Sequence, residues 1–469
     1  MKLQLQDVAQ ATGGQAIGEA VVRGVGTDSR AQAAGELFVA LRGERFDGHD
    51  FVAGAQQQGA AAALVDRDWY ARQGGDAGSL PLVVVDDTRR ALGALAASWR
   101  QRFDIPLIGI TGSNGKTTVK EMCAAILRTR FADSGAVLAT AGNLNNDIGL
   151  PLTLLGLRAH HRAAVVEMGM NHPGEIGALT AIARPTVALV NNAQRAHLQG
   201  MGGVVEVAEE KAAIYDGLDA HGVAIVNLDD PHAALWLARN RDRKVMGFGF
   251  RDAADVYGVC RLQGLGAILQ IRHAGEAVEC ALQVPGVHNA ANALSAAATC
   301  LAAGVTLAEV ARGLSGYTGT KGRLHRRAGR GGALILDDTY NANPDSVRAG
   351  IDVLASTPGR KVLVLGDMGE VGESSAQVHD EVGGYAKSKG VDALFGLGEM
   401  SAIAVRNFGE GGAHFANPES LAAAVLPLLD ADTAVLVKGS RFMRMERVVE
   451  RLLAVHNSGP SQPGDSHAA

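Results

Sequence analysis

The chain has 469 residues, 47% of them hydrophobic and 20% charged, with a formal net charge of −5 and no long basic run. That length suggests about two to four domains with ample core material, and the charge argues against a nucleic-acid partner or a membrane surface, both of which ask for a basic face. Cys123, Cys260, Cys280 and Cys300 form no C-x-x-C pair, and no run approaches the roughly 20 apolar residues of a membrane span, so we expect a cytoplasmic protein without disulfide, zinc site, signal peptide or membrane span; a monomer is expected as well.

Short apolar runs alternate with helix-length patterns almost throughout, which predicts an α/β fold. Three blocks separate. The first, residues 1–103, holds strands at Leu37–Leu41, Ala61–Val65 and Leu82–Val85 and a helix at Arg89–Arg100. The second, residues 104–317, opens on a buried strand, Leu107–Ile110, followed by a helix from about Lys116. Val119, Met122, Cys123, Ile126 and Leu127 give that helix one apolar face. Strands follow at Ala163–Met168, Val187–Val190, Val223–Leu228 and Lys244–Phe248. Shorter, hairpin-like segments follow at Asp255–Cys260, Ala267–Ile271 and Ala277–Val284, and then a helix over His288–Gly304. The third block, residues 318–456, reads as a second doubly wound unit, with strands at Leu334–Asp337, Lys361–Leu365, Ala393–Phe395 and Val435–Val437. Residues 457–469 are a Ser-, Pro- and Gly-rich tail expected to be disordered.

The junction Leu107-Ile-Gly-Ile-Thr-Gly112-Ser113-Asn114-Gly115-Lys116-Thr117-Thr118 is strand, glycine turn, helix. Such a loop turns backbone N–H groups toward a phosphate, and the helix N-terminus adds a favourable dipole. Lys116 can reach the β- and γ-phosphates of ATP, and the Thr117 hydroxyl can hold Mg²⁺. The common pattern would place a glycine at Ile110; here it is Gly112, so the loop is a variant. No Asn-Lys-x-Asp guanine reader follows, which argues against a GTPase.

Glu167 ends a buried strand in Val-Val-Glu-Met-Gly, where ligands sit in open α/β sheets. His197 follows the next strand, in Asn-Asn-Ala-Gln-Arg-Ala-His-Leu. Lys211 lies on a helix beginning near Gly203, beside Glu206, Glu209 and Glu210. Taken singly, these are a solvated strand-end charge, a loop histidine and a solvated helix cation. Taken with the loop, the runs T-G-S-N-G-K-T-T, V-E-M-G, N-N-A-Q-R-A-H-L and E-K-A-A-I resemble the Mur ligase family of ATP-dependent ligases. The resemblance implies three domains: an N-terminal α/β uridine-nucleotide domain, a central P-loop ATPase domain with a mostly parallel sheet, and a C-terminal Rossmann-like domain. It implies that Glu167 and His197 hold Mg²⁺ with Thr117, and that Lys211 is carbamylated, which would turn a cation into an oxygen ligand suited to this metal.

Further motifs extend the resemblance. Gly286-Val-His-Asn289-Ala-Ala-Asn292 resembles a family motif whose first asparagine, here Asn289, lies near the adenine. Arg323, in Thr318-Gly-Thr-Lys-Gly-Arg-Leu, matches an arginine that contacts the nucleotide, while Arg326, Arg327 and Arg330 read as surface charge. The run Asp337-Asp-Thr-Tyr-Asn-Ala-Asn-Pro-Asp-Ser346 resembles the branch that adds D-alanyl-D-alanine to a UDP-N-acetylmuramoyl-tripeptide. In that branch Asp338 would approach the ATP ribose or phosphates, and Asn341 and Asn343 would line the dipeptide site. Gly366-Asp-Met-Gly-Glu370 and Val437-Lys-Gly-Ser-Arg441 resemble it too, and Gly396-Leu-Gly398 reads as a turn. In the first block Thr27-Asp-Ser29-Arg30 resembles the family's uridine-nucleotide domain, which implies that Ser29 and Arg30 meet the UDP group. The alternatives are another ligase of the superfamily, such as a folylpolyglutamate synthase, a P-loop kinase or ATP-driven switch, and a binding protein without catalysis.

Overall fold

The computed structural model describes residues 1–74, 79–196 and 198–454. It is α/β, as expected, and divides into two compact units: Met1–Gln283 with Val287–Thr318, and Val284–Gly286 with the chain from Gly319. The expected tail, 457–469, lies outside the described residues.

The first unit holds a five-stranded and a nine-stranded sheet. In the smaller sheet, Leu82–Val85, Ala62–Asp66, Glu36–Val39 and Gly24–Gly26 run parallel, and Gln15–Ile17 is added antiparallel at one edge. The larger sheet has the order Glu276–Leu282, Gly266–His273, Val256–Gln263, Lys244–Gly249, Val223–Asn227, Val187–Val190, Leu107–Thr111, Ala163–Glu167, Val137–Ala139. All its pairings are parallel except the two that flank Gly266–His273, the one strand that runs against the others. Strands buried on both faces read as continuous apolar runs, and all five residues of Leu107–Thr111 and of Ala163–Glu167 are buried.

The first two hairpin strands are eight residues each, longer than the sequence suggested, and the third, Glu276–Leu282, is seven, shorter than the expected Ala277–Val284. In the middle one, Ala267, Leu269 and Ile271 are buried and their neighbours are not, so an apolar run marks only part of the strand.

Helix Thr88–Arg100 joins the two sheets. Asp87 caps it by accepting from the Arg89 and Arg90 amides at 2.8 and 3.0 Å. Its buried residues Leu92, Leu95 and Trp99 share one hydrophobic cluster with Val83 and Val85 of the small sheet and Ala164 and Val166 of the large one. The Trp99 indole donates to the Leu157 carbonyl at 3.1 Å.

The second unit carries a six-stranded sheet in the order His325–Ala328, Leu334–Asp338, Thr433–Lys438, Arg360–Gly366, Ala393–Leu397, Gly412–Phe415. The first is antiparallel to its neighbour and the other pairings are parallel. Both edge strands escaped sequence reading. Arg326 and Arg327, read as surface charge, lie on the first of them, with Arg326 exposed. Gly396 and Leu397, read as part of a turn, instead end the strand Ala393–Leu397, and only Gly398, at φ +111°, lies beyond it.

Candidate active site

Three adjacent parallel strands deliver the site. Glu167 pairs in register with Ile110, and Val190 pairs with Thr111, so Gly112, Glu167 and Asn191 emerge together at the carboxyl end of the sheet. That end is where open α/β sheets bind ligands.

The loop between Thr111 and Lys116 is tied down by side chains from the neighbouring strand end. Asn114 N–H donates to Asn192 Oδ1 at 2.8 Å, and Asn191 Nδ2 donates to the Asn114 carbonyl at 2.9 Å. Ser113 N–H donates to the Asn192 carbonyl at 3.0 Å, and Gln194 N–H to Ser113 Oγ at 2.9 Å. Asn191 Nδ2 also donates to Asn292 Oδ1 at 3.0 Å, and Asn292 Nδ2 to Asn289 Oδ1 at 3.2 Å. Asn289 is thus buried on helix Val287–Ala302, at the far end of this amide mesh. Gly115 caps the phosphate-loop helix, Lys116–Phe131, at φ +80°. Lys116 Nζ folds back to donate to the Gly112 carbonyl at 2.7 Å, and Thr118 is buried in the first helical turn.

Glu167 is 2% exposed, so it is not the solvated strand-end charge that its residue type suggests in isolation. Thr117 Oγ1 donates to its Oε2 at 2.9 Å and Asn145 Nδ2 to its Oε1 at 2.8 Å. Its backbone N–H donates to Thr140 Oγ1 at 2.9 Å. Thr117 and Glu167 therefore meet at the carboxyl end of the sheet.

Lys211, on helix Val204–Ala212, is wholly buried, and its Nζ has no hydrogen-bond partner among the described residues. Burial, with the Lys116 charge adding to it, holds this ammonium well below the usual lysine range, against the opposing pull of Glu210. Glu210 faces elsewhere: its carboxylate accepts from the Gly174 and Ile176 amides, both at 2.8 Å, at the start of helix Glu175–Ala183. His197 lies outside the described residues. Among the described residues no group of three or more His, Cys, Asp and Glu side chains gathers for a metal. What is present is a hydroxyl and a carboxylate in contact and a buried amine without a partner.

Ser29 and Arg30 sit in a turn beyond the small sheet. Arg30 forks onto Asp28 with Nε and Nη2 distances of 2.9 and 2.8 Å, and this holds the Asp28 carboxyl down at about 2.

In the second unit Asp338 ends the strand Leu334–Asp338 and is buried. Its Oδ2 receives Lys438 Nζ at 2.5 Å and its Oδ1 the Leu324 amide at 3.1 Å. Lys438 also donates to the Asn341 carbonyl at 3.0 Å, so one buried ammonium ties the strand end to the loop after it. Burial lowers the Lys438 pKa, and Asp338 opposes that shift. Arg323 stacks over Tyr340, its guanidinium carbon 4.1 Å from the ring centroid. Asn343 caps helix Pro344–Ala355, its Oδ1 accepting from Ser346 N–H at 2.9 Å, as its Asn-Pro-Asp-Ser sequence predicts. Asn341 Oδ1 accepts from the next amide at 2.9 Å.

Several residues of these networks carried no assigned role in the sequence. Asn191, Asn192, Gln194 and Asn292 lay inside quoted motifs. Lys438 lay in Val-Lys-Gly-Ser-Arg with no hint of its partner 100 residues away. Asn145 had one local signal, the polar run Asn143-Leu-Asn-Asn-Asp147, too long for a tight turn.

Residues 21–100 match the model of the Mur ligase family catalytic domain, residues 110–300 that of the Mur ligase middle domain, and residues 322–441 that of the Mur ligase glutamate ligase domain. The chain is 42% identical to the UDP-N-acetylmuramoyl-tripeptide–D-alanyl-D-alanine ligase of Escherichia coli (strain K12), over 91% of this chain and 93% of that protein. A crystal structure of MurF from Acinetobacter baumannii superposes with a TM-score of 0.88 at 36% identity, covering 96% of this chain and 98% of that one. A Thermotoga maritima MurF ligase in complex with ADP gives a TM-score of 0.80 at 28% identity, covering 92% and 97%. With three family models matched along its length and a curated relative this similar over nine-tenths of it, the chain belongs to the Mur ligase family.

Proposed function

We infer that this chain is an ATP-dependent ligase that joins D-alanyl-D-alanine to UDP-N-acetylmuramoyl-tripeptide, forming the pentapeptide precursor of peptidoglycan. The observation that carries the reading is the 42% identity, over nearly the full length, to an Escherichia coli protein of that activity. The run from Asp337 to Ser346 supports the same amine substrate.

The chemistry needs activation, because a carboxylate is a poor electrophile toward an amine. The tripeptide carboxylate attacks the γ-phosphorus of ATP, giving an acyl phosphate and ADP. The neutral amine of D-alanyl-D-alanine then attacks the acyl carbon, and phosphate leaves. The phosphate-loop amides and Lys116 hold the triphosphate, and the Arg323 guanidinium offsets charge on the transferring phosphoryl group. Asn289 approaches the adenine, Asp338 the ribose or phosphates, Asn341 and Asn343 the dipeptide, and Ser29 and Arg30 the UDP group.

Thr117, Glu167, His197 and Lys211 would hold Mg²⁺, which neutralises charge on the phosphoryl oxygens. A hydroxyl touching a buried carboxylate suits a hard cation. The partnerless Lys211 amine fits only if it is modified: Nζ adds to the carbon of CO₂, a proton leaves, and an anionic carbamate remains. The reading places the protein in the cytoplasm as a monomer, where its free thiols are at home.

Phosphate release by the purified protein, with ATP, UDP-N-acetylmuramoyl-tripeptide and D-alanyl-D-alanine, tests the proposal. Release should require both the tripeptide nucleotide and the dipeptide, and Lys116→Ala should abolish it. ADP formation independent of the dipeptide would point to a kinase or an ATP-driven switch instead.

A further inference from the structure

Lys120 is a buried cation that the proposed chemistry does not use. It lies one turn beyond Lys116 on the phosphate-loop helix and is 1% exposed. Its Nζ donates to the Thr140 carbonyl at 2.7 Å and to Glu121 Oε1 at 2.5 Å. A buried ammonium is tolerated only where such partners repay its lost hydration, so its place in the helix calls for a reason.

The reason lies in the edge of the nine-stranded sheet. The strand beside Glu167's own is the outermost and only three residues long, Val137–Ala139. Its last ladder pair is Ala139 with Val165. Beyond that pair the edge strand no longer serves Glu167. The Thr140 amide still reaches the Val165 carbonyl at 3.0 Å, and the Thr140 hydroxyl then accepts the Glu167 N–H at 2.9 Å. Thr140 also begins the segment that brings Asn145 onto the Glu167 carboxylate at 2.8 Å. An edge residue outside regular pairing holds such a position only if something holds it, and Lys120 grips its carbonyl. The helix thus fixes Glu167 twice: directly through Thr117, and through Lys120 and Thr140 from the other side.

We propose that Lys120 is a positioning residue for the metal-binding carboxylate, acting through Thr140 on the backbone of Glu167. The inference rests on the reading of Glu167 as a ligand for the divalent cation. Loss of the relay should weaken cation binding about tenfold, as removal of outer supports of metal ligands does.

The test is a titration of the full-length protein with Mn²⁺ in the presence of ADP, followed by electron paramagnetic resonance, alongside Tm. Lys120→Met, which keeps length but no donor, should bind Mn²⁺ about tenfold more weakly, while Lys120→Arg restores most of the affinity. Thr140→Val cuts the relay at its other end and should reproduce the weakening. It also serves if Lys120→Met does not fold. Unchanged Mn²⁺ affinity in folded Lys120→Met or Thr140→Val overturns the proposal, as does equal weakening in Lys120→Arg and Lys120→Met. Glu167→Gln separates the two layers: if it binds Mn²⁺ as the unmodified protein does, the ligand reading of Glu167 itself is wrong.

Discussion

A Cβ on Gly115 would lie 2.3 Å from Asn292 Oδ1 and 2.6 Å from Asn191 Nδ2, at a φ where side chains are strained. Both atoms belong to the amide mesh that shapes the phosphate loop. Gly115→Ala should therefore cost about 1–3 kcal/mol of stability and weaken ATP binding, measured by urea denaturation and by calorimetric titration with ATP. A variant as stable and as tight-binding as the parent would show that the mesh yields freely. Lys211 makes the opposite prediction. Before modification its amine loses hydration without gaining a partner among the described residues, so in protein kept free of CO₂ Lys211→Met should raise stability by roughly 1–3 kcal/mol, while phosphate release by enzyme supplied with CO₂ falls about 100-fold. A clear loss of stability in that variant would mean that the ammonium has a partner. The two residues were not equally legible. The glycine announces itself by its place in a loop pattern. The lysine carries three glutamates within five residues and reads as a solvated helix cation until tertiary packing buries it.

Helix Ser375–Ser388 shows how an element holds a loop through a single side chain. His379 is wholly buried; its Nε2 accepts from the Met368 amide at 2.9 Å, and its Nδ1–H donates to the Ser375 carbonyl at 2.7 Å. Both bonds use the neutral ring, and burial lowers the His379 pKa from its ordinary value of 6.5. The sign follows from proton counting: below 6.5 the unfolded chain takes up a proton that the folded ring resists, so stability is lost as pH falls from there toward the folded pKa. The parent should accordingly lose more Tm between pH 7.5 and pH 5 than His379→Gln does, and equal losses would discount the ring's part. The sequence offered the Gly366–Glu370 motif but not its clamp, because a histidine on a helix face carries no mark of the loop it will meet. Elements with a strong local signal, such as the Asn343-Pro344 helix start, were legible at once. The two edge strands of the six-stranded sheet were not, since each is only four residues long and carries no apolar run.

At the scale of the whole molecule, the first two sequence blocks each predicted a sheet, and each sheet is present. That the two sheets share one core was hidden, because periodicity reports which face of a helix is buried and not what covers it. Helix Thr88–Arg100 carries that shared core. Trp99→Ala should cost about 3–5 kcal/mol and speed amide exchange in Leu82–Val85 and in Ala163–Glu167 alike. Faster exchange confined to one sheet would show that the sheets unfold separately.

The six-stranded sheet ends at His325–Ala328, with Arg326 and Arg327 adjacent on that edge strand, whose end at Ala328 accepts the Ala454 amide at 3.2 Å. Two copies meeting edge to edge there would bring guanidinium against guanidinium, a repulsive pairing in any strand ladder. A charged border of this kind discourages one molecule from extending the sheet of the next. A strand that sequence reading missed thereby carries charge that opposes such a pairing.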